Sequence, residues 1–207
     1  MKKLLVFLSV ILPIALLPAS GQNVDPEVTV ATLGDVPIHA EEFFFHIRDH
    51  VAMVAVHFKK EHSVDLSGKD WLKEYNGEVP LMRLQERALE SCRTAKAIQL
   101  LAVEHEVGEK LPFPGFAKIC AEINRARAKG KAEGRVLYGP VEFSPSQLYK
   151  YKITNMRNHL RDRDLQRSHQ EREEALKAAI EKRVNAMPLV LRTEALHKLL
   201  VESVGAE

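Results

Sequence analysis

Apolar residues recur every three or four positions along most of this 207-residue chain. That spacing places them on one face of a helix and limits the fold more than any other feature. The first stripe consists of Phe44, Ile47, Val51, Val54 and Phe58. Longer and shorter stripes follow at Leu81, Leu84, Ala88, Cys92, Ala95, Gln99 and Ala102, and at Phe116, Cys120 and Ile123. Together they predict helices over about 40–60, 79–107 and 113–129.

Two capping boxes mark the starts of later helices. The segments Ser144–Gln147 and Ser168–Glu171 each place Gln or Glu three residues after a serine, so that the serine side chain can bind free backbone N–H groups of the first turn. Pro188 ends the second of these helices, and a short helix is expected over about 193–203. The chain is therefore predicted to be mostly α, with about six helices.

Strand signals are confined to short segments. Val28–Leu33 alternates β-branched residues, Gly34-Asp35 is a turn, and Val36–Ile38 continues as a second strand, which predicts a short N-terminal β-hairpin. Pro37 has no N–H to donate, so the second strand should lie at a sheet edge. One further short strand is predicted at Arg135–Tyr138.

The first 21 residues have the composition of a secretory signal peptide. Lys2 and Lys3 precede the apolar run Leu4–Leu17, which is too short to cross a bilayer core of about 30 Å. Small residues then lead to a cleavage position after Gly21. We expect export to the periplasm or another extracytoplasmic compartment, the alternative being an uncleaved membrane anchor. No later stretch is long and apolar enough for an integral membrane span.

Charge and motifs exclude several functions. Removing the two lysines of the signal peptide from the 30 basic residues leaves 28, against 28 acidic residues, so nucleic acid is not an expected partner. The sequence contains no Gly-x-x-x-x-Gly-Lys-Ser/Thr, Gly-x-Ser-x-Gly, His-Glu-x-x-His or Cys-x-x-Cys motif. We therefore expect no nucleotide or other cofactor and no catalytic residue; a non-enzymatic role is favoured, and enzymatic activity of the chain stays open.

Three histidines share one face of the first predicted helix. His46, His50 and His57 fall within about 40° of each other at 100° per residue. A pair of histidines four residues apart can chelate zinc or copper. The same positions border the apolar stripe, where histidine is common, so we favour a structural role and predict no metal site.

The chain has two cysteines, Cys92 and Cys120. Export would permit a disulfide between them, but both lie on apolar faces, where buried free cysteine is also common. If the second and third helices form a hairpin, the two positions are offset by about 15 Å along the helix axis. A disulfide tolerates only roughly 7 Å between Cα atoms. Free thiols are favoured, and the bonded state stays open.

Two segments are rich in charge. Residues 118–135 carry six Lys or Arg against two Glu, and residues 157–174 carry ten charges of evenly split sign. The first could meet anionic lipid or acidic polypeptides, although a solvated helix face is the commoner explanation. The second is typical of an exposed connection held by ion pairs.

Several segments follow one another in the order found in a known family. They are Val30-Ala-Thr-Leu-Gly-Asp-Val-Pro-Ile38 with His-Ala-Glu-Glu-Phe43, then Trp71-Leu-Lys-Glu-Tyr-Asn-Gly-Glu-Val-Pro80 before a helix with Ala88, Leu89 and Lys96, then Tyr138-Gly-Pro140 with Phe143 and Asn155. Over about residues 28–165 the chain thus resembles the peptide-binding domain of the SurA and PrsA group of envelope foldases. The resemblance implies a helical domain that holds unfolded, newly exported polypeptides without using a nucleotide.

In that family, prolyl isomerase activity belongs to a separate parvulin-type domain of roughly 90 residues, marked by an early His in an Arg-His-Ile-type strand. This chain has no such segment, and the residues after Pro188 are too few for that domain. It therefore resembles the members without a catalytic domain. Residues 22–167 would form the peptide-binding domain. Residues 168–207 would form a helical extension that packs on it or is exchanged between two copies in a homodimer.

Methionine and aromatic side chains repack with little geometric demand, which suits them to binding varied apolar polypeptides. The candidate peptide-binding residues are Phe58, Trp71, Tyr75, Met82, Phe113, Phe116, Tyr149 and Met156. The alternative for each is a place in the ordinary core. The sequence therefore predicts an exported, ATP-independent chaperone-like protein. The alternatives are a foldase related to prolyl isomerases and a non-catalytic helical subunit of an envelope complex.

Overall fold

The computed structural model describes residues 25–206. That range contains six α-helices and a small three-stranded sheet, so the predicted mostly α fold is confirmed. The helices are α1 Ala40–His62, α2 Pro80–Glu104, α3 Phe116–Ala132, α4 Pro145–Arg161, α5 His169–Ala186 and α6 Thr193–Val204. The strands are β1 Thr29–Leu33, β2 Val36–His39 and β3 Leu189–Leu191, and a 3-10 turn covers Gly68–Leu72. The predicted signal peptide, residues 1–21, lies outside the described residues.

The predicted N-terminal hairpin is confirmed. Strands β1 and β2 pair antiparallel and are joined at Gly34, whose φ of 54° lies in the left-handed region that glycine adopts without strain. The strand order is β2-β1-β3. Pro37 therefore lies on an edge strand, as its missing N–H requires.

The strand predicted at Arg135–Tyr138 is wrong. These residues form an irregular loop, and Val136 and Tyr138 are 78% and 87% exposed. The third strand is β3, which pairs with the free edge of β1 and places Leu33 opposite Leu189. Residues with high strand propensity form a strand only where their backbone pairs with another strand, and residues 135–138 pair with none.

Helices α1 and α2 run antiparallel and contribute much of the core. Glu42 lies beside Gln99, and His46 lies beside Ser91, so positions increase along one helix as they decrease along the other. Fully buried side chains from both helices include Phe43, Ile47, Phe58, Leu84 and Ala88. Helices α4 and α5 pack on α2, and α6 packs on α1 and β1.

Both capping boxes form as predicted. The Ser144 hydroxyl accepts a hydrogen bond from Gln147 N at the start of α4, and the Ser168 hydroxyl accepts one from Glu171 N at the start of α5. Each cap satisfies a backbone donor that has no partner inside the helix.

Helix α3 begins at Phe116 instead of the predicted Phe113. Gly115, with φ of 102°, occupies the N-cap position. The cap comes from α1, because the Glu41 carboxylate accepts hydrogen bonds from Gly115 N at 2.7 Å and Ala117 N at 2.8 Å. An acid at this end also offsets the partial positive charge of the α3 N-terminus. The contact fixes α3 against the start of α1.

The C-terminal segment is tied to the rest of the chain. Strand β3 completes the sheet, while α6 buries Leu196, Leu199 and Leu200 against α1 and β1. Among the helices of residues 25–206, none combines the length and hydrophobicity needed to span a bilayer. The division into domains at residue 167 and the exchange of helices between two copies stay predictions.

Candidate functional site

A cavity of about 450 Å³ opens between α3 and α4. Its floor and walls are largely apolar, and we call it the α3–α4 groove. Its apolar lining comes from Ile123, Phe143, Leu148, Tyr151 and Met156. Arg127, Lys152 and His159 stand among the polar lining residues. Concave apolar surfaces with a few placed polar groups are the usual form of a binding site.

The loop of residues 134–143 contributes Phe143 to the groove lining and is anchored to α3, and we call this loop the rim. The Arg127 guanidinium donates to the carbonyl oxygens of Tyr138 at 2.8 Å and Pro140 at 3.1 Å. The Asn124 amide donates to Phe143 O at 2.8 Å and accepts from Phe143 N at 2.9 Å. These bonds satisfy loop backbone groups that would otherwise pair with water or a neighbouring strand. The rim is held without secondary structure of its own.

Large apolar side chains on and beside this rim face solvent. Val136, Tyr138, Val141 and Tyr151 are 78%, 87%, 48% and 51% exposed. The Tyr151 ring lies 5.5 Å from the buried Phe143 ring, so the exposed aromatics continue into the groove. An apolar surface of this kind can bind apolar side chains of another polypeptide.

The eight predicted peptide-binding residues differ in how deeply the structure buries them. Five are buried in the core: Phe58, Trp71, Phe116, Tyr149 and Met156. Tyr75 and Phe113 are partly buried against it, and Met82 is 51% exposed on α2. Met156 lines the α3–α4 groove. Peptide binding by the eight stays a prediction, and for Phe58, Trp71, Phe116 and Tyr149, which are buried and do not line the groove, it requires movement of the helices around them.

The sequence-based choice missed Tyr138, Phe143 and Tyr151. Tyr149, Ile153, Met156 and Leu160 recur at helical spacing and form the apolar stripe of α4. Tyr151 falls between the first two of them, which predicts that it points away from the core face. Tyr138 adjoins the Gly139-Pro140 turn, where an aromatic side chain has no regular element to cover it. The position of Phe143 depends on Asn124, which no local pattern indicates.

A buried polar network lies between α1, α2 and α4. Glu42 is fully buried, and its Oε2 forms an ion pair with Lys96 Nζ at 2.6 Å. Its Oε1 accepts hydrogen bonds from the Tyr149 hydroxyl at 3.1 Å and the Gln99 amide at 3.4 Å. His46 completes the network through its Nε2, 3.1 Å from the Tyr149 oxygen. Such charges tolerate burial because each has a partner.

The hydrogen bonds of this network all run in one direction, from Ser91 through His46 and Tyr149 to Glu42. Because Tyr149 donates to Glu42, its oxygen accepts from His46 Nε2–H, and the neutral His46 ring then accepts from the Ser91 hydroxyl at Nδ1, 2.5 Å away. Burial, reinforced by the charges of His50, Lys96 and Lys150, lowers the pKa of His46 to about 3. Burial also raises the pKa of the Tyr149 phenol well above its ordinary value.

This arrangement places a hydroxyl against an imidazole at a cavity of about 500 Å³. A general base works best with a pKa near the operating pH. The pKa of about 3 makes His46 too weak a base to take the Ser91 proton near neutrality. The network instead fixes Tyr149, and with it α4, against the α1–α2 pair.

The three histidines of the predicted stripe do not converge. His46 belongs to the buried network, His50 lines the cavity beside it, and His57 donates to Glu78 on the loop before α2. Among residues 25–206, the one group of three or more His, Cys, Asp or Glu donors close enough to hold a metal ion is His57, His62 and Glu78, whose ligand atoms lie within 4.8 Å of one another.

Both cysteines are buried free thiols. Burial raises the pKa of Cys92 well above its ordinary value, so this thiol is unreactive. Cys120 donates to Phe143 O at 3.3 Å. It thus contributes to the anchoring of the loop beside the groove.

The two charged segments also have clear positions. In residues 118–135, Arg127 binds the loop, whereas Lys118, Arg125, Lys129, Lys131 and Arg135 are exposed. In residues 157–174, Glu173 pairs with Arg157 at 2.6 Å and with Arg161 at 3.2 Å. The predicted ion-paired connection is confirmed there.

Comparison with known proteins gives one informative similarity. The chain is 26% identical over 128 residues to a protein of Bifidobacterium longum subsp. longum described as "Chaperone for lacto-N-biosidase". The aligned part is 60% of this chain and 45% of that protein, so the chain spans under half the length of its relative. No family model and no solved structure matches.

Proposed function

We propose that this chain is an exported, ATP-independent chaperone that binds non-native segments of a client polypeptide in the α3–α4 groove. The observation that carries the proposal is the similarity to a protein named as a chaperone. The resemblance of residues 28–165 to the SurA and PrsA group points in the same direction, and the predicted signal peptide of residues 1–21 supports export.

The groove offers the physical means for such binding. Phe143, Leu148 and Met156 supply apolar surface inside it, and the exposed Tyr138 and Tyr151 extend that surface outward. Burying apolar area stabilises a complex by about 25 cal/mol per Å² before the cost of ordering is subtracted. Because the cost of ordering offsets part of this gain, the binding would be weak. A client segment could then be released without nucleotide hydrolysis.

The relative's name associates it with a single enzyme. We propose by analogy that this chain serves one or few exported clients. A non-catalytic subunit of an envelope complex would also have one partner, but it would keep that partner after the partner had folded. The stability of the complex with a folded partner therefore distinguishes the two functions.

The test is suppression of aggregation. A chemically unfolded client is diluted into buffer without ATP, and light scattering is recorded with equimolar amounts of this protein. The wild type should suppress scattering. Tyr138→Asp and Tyr151→Asp should suppress it only at roughly tenfold higher concentration, because exposed aromatics often dominate binding energy. Leu165→Asp is the matched control, since Leu165 is 74% exposed but does not line the groove.

Two outcomes would contradict the proposal. If the wild type does not suppress aggregation, the chaperone function is wrong. If all three variants match the wild type, the function stands but the groove does not bind the client. The same protein in a proline-limited refolding assay tests the isomerase alternative, which predicts faster refolding at substoichiometric amounts.

A further inference from the structure

The loop between α1 and α2 brings a carboxylate against two histidines at the end of α1. Asn76 and Gly77 have φ of 51° and 87°, and Tyr75 and Glu78 exchange backbone hydrogen bonds of 2.7 and 3.0 Å across them. Two adjacent residues with positive φ are the mark of a tight type I′ turn. This turn aims the Glu78 side chain back toward His57 and His62.

The three donor atoms have separations that suit one small ion. Glu78 Oε2 lies 2.9 Å from His57 Nε2 and 3.7 Å from His62 Nε2, and all three ligand atoms lie within 4.8 Å of one another. Around a tetrahedral zinc ion with bonds of about 2.0–2.1 Å, neighbouring ligand atoms are about 3.4 Å apart. Small side-chain rotations therefore bring the group to coordination geometry.

The surroundings hold these donors in place. Arg83 Nη1 binds Glu78 Oε1 at 3.2 Å and leaves Oε2 facing the histidines. The His62 ring stacks on Phe58, with centroids 4.9 Å apart. The Asn76 amide lies 3.4 Å from His62 Nδ1, and a half-turn would present its oxygen to Nδ1–H and leave Nε2 free to bind a metal. Contacts of this kind orient ligands in known metal sites.

We propose that His57, His62 and Glu78 form a zinc site with water as the fourth ligand. The donor set of two imidazoles and one carboxylate matches the preference of Zn²⁺, whereas Ca²⁺ and Mg²⁺ prefer oxygen ligands. The side chains of the three residues are 27%, 10% and 40% exposed in that order, so an ion and a water molecule can reach them. Bound zinc would fasten the end of α1 to the turn before α2.

The test is titration of tag-free, chelator-treated protein with Zn²⁺ alone, followed by calorimetry. The wild type should bind one ion per chain. Glu78→Gln and His62→Gln should bind at least about tenfold more weakly, because even outer contacts of a metal site are worth that much. His197→Gln is the matched control: His197 is exposed on α6, and the variant should bind as the wild type does.

Two further measurements assign the ion to this site. Co²⁺ in place of Zn²⁺ should give the visible absorption of a tetrahedral complex, and Zn²⁺ should shift the NMR signals of the His57 and His62 rings. If Glu78→Gln does not fold, His57→Gln supplies the same comparison. The proposal is overturned if the wild type shows no one-to-one uptake, or if Glu78→Gln and His57→Gln bind as the wild type does.

Discussion

At the scale of single residues, the most unusual feature is a set of polar side chains inside the core. Glu42 and Lys96 form an ion pair that is almost closed to solvent, and Tyr149 and His46 extend it toward Ser91. Breaking a buried pair by removing one partner typically costs about 3–5 kcal/mol, because the other charge stays buried. This network therefore specifies how α1, α2 and α4 meet.

His46 should make the stability of the protein depend on pH. Its pKa is about 3 in the folded chain, against an ordinary value of 6.5 once the chain is unfolded. Between these values the unfolded chain binds a proton that the folded chain does not, so the free energy of unfolding falls as the pH falls below about 6.5. From pH 7 to pH 5 the loss from this residue should be about 2 kcal/mol.

Urea unfolding of the wild type and His46→Gln at several pH values measures this loss. The variant should be less stable at pH 7, but its stability should decline less between pH 7 and pH 5. His197→Gln should keep the wild-type slope, since His197 is exposed. Equal slopes for His46→Gln and the wild type would show that His46 does not remain neutral.

At the scale of elements, long-range side-chain contacts position short segments. Glu41 of α1 caps α3, and Arg127 of α3 holds the loop before α4. The connection after α2 is held by packing. A Cβ added at Gly108 would lie 2.7 Å from Ala102 Cβ and 3.0 Å from Met156 Cγ. The packing of Met156 of α4 against the end of α2 therefore requires a residue without a side chain at position 108.

Two glycine substitutions should have opposite effects on stability. Gly108→Ala should lower the free energy of unfolding by about 1–3 kcal/mol, because Ala102 Cβ is fixed to its helix and the backbone must move. Gly130→Ala should raise it by up to about 1 kcal/mol. Gly130 lies within α3, where alanine favours the helix, and its nearest contact would be an ordinary 3.6 Å.

Denaturant unfolding monitored by circular dichroism compares the two variants. The Met156 side chain can move away from a Cβ added at Gly108, but Ala102 Cβ cannot. The cost of Gly108→Ala therefore depends on the contact with Ala102. A Gly108→Ala protein as stable as the wild type would show that this connection is loosely packed.

At the scale of the whole molecule, distant parts of the chain complete one sheet and one core. β3 pairs with β1, and α6 buries Leu196, Leu199, Leu200 and Val204. Loss of a single buried leucine side chain typically costs about 2–5 kcal/mol. A domain of ordinary stability has only about 5–15 kcal/mol in total. We therefore expect the rest of the chain to need the segment after α5 in order to fold.

Deletion of residues 188–207 should abolish cooperative unfolding, because it exposes the β1 edge and the faces that α6 covers. Near-ultraviolet circular dichroism and thermal unfolding measure the effect. Val190→Thr is the control, since Val190 is 52% exposed on β3, and it should unfold near the wild-type midpoint. A truncated chain that unfolds cooperatively would instead support the predicted separate extension.

Local patterns predicted the features that depend on neighbouring residues. The hairpin around Gly34, the edge position of Pro37 and the caps at Ser144 and Ser168 all follow from short-range rules. The third strand could not be found this way, because the pairing of Leu189 with Leu33 joins distant parts of the chain. Non-local pairing leaves little trace in local sequence.

The candidate site shows the same limit. Phe58, Phe116 and Tyr149 are predicted binding residues because of their aromatic type, but they also lie on the apolar helix stripes, which the core buries. Side chains outside the stripes, such as Tyr151, remain exposed. Aromatic type alone therefore does not distinguish a binding surface from a core, whereas position relative to the stripe does.

The pairing of β1 with β3 has a consequence for biogenesis. During synthesis, strand β1 keeps one edge unpaired until residues 189–191 have also left the ribosome. Contacts between such distant positions slow folding, because a long loop must close first. The function proposed above is to protect unfolded segments of other polypeptides, and this chain would itself expose an unpaired strand edge during its own synthesis.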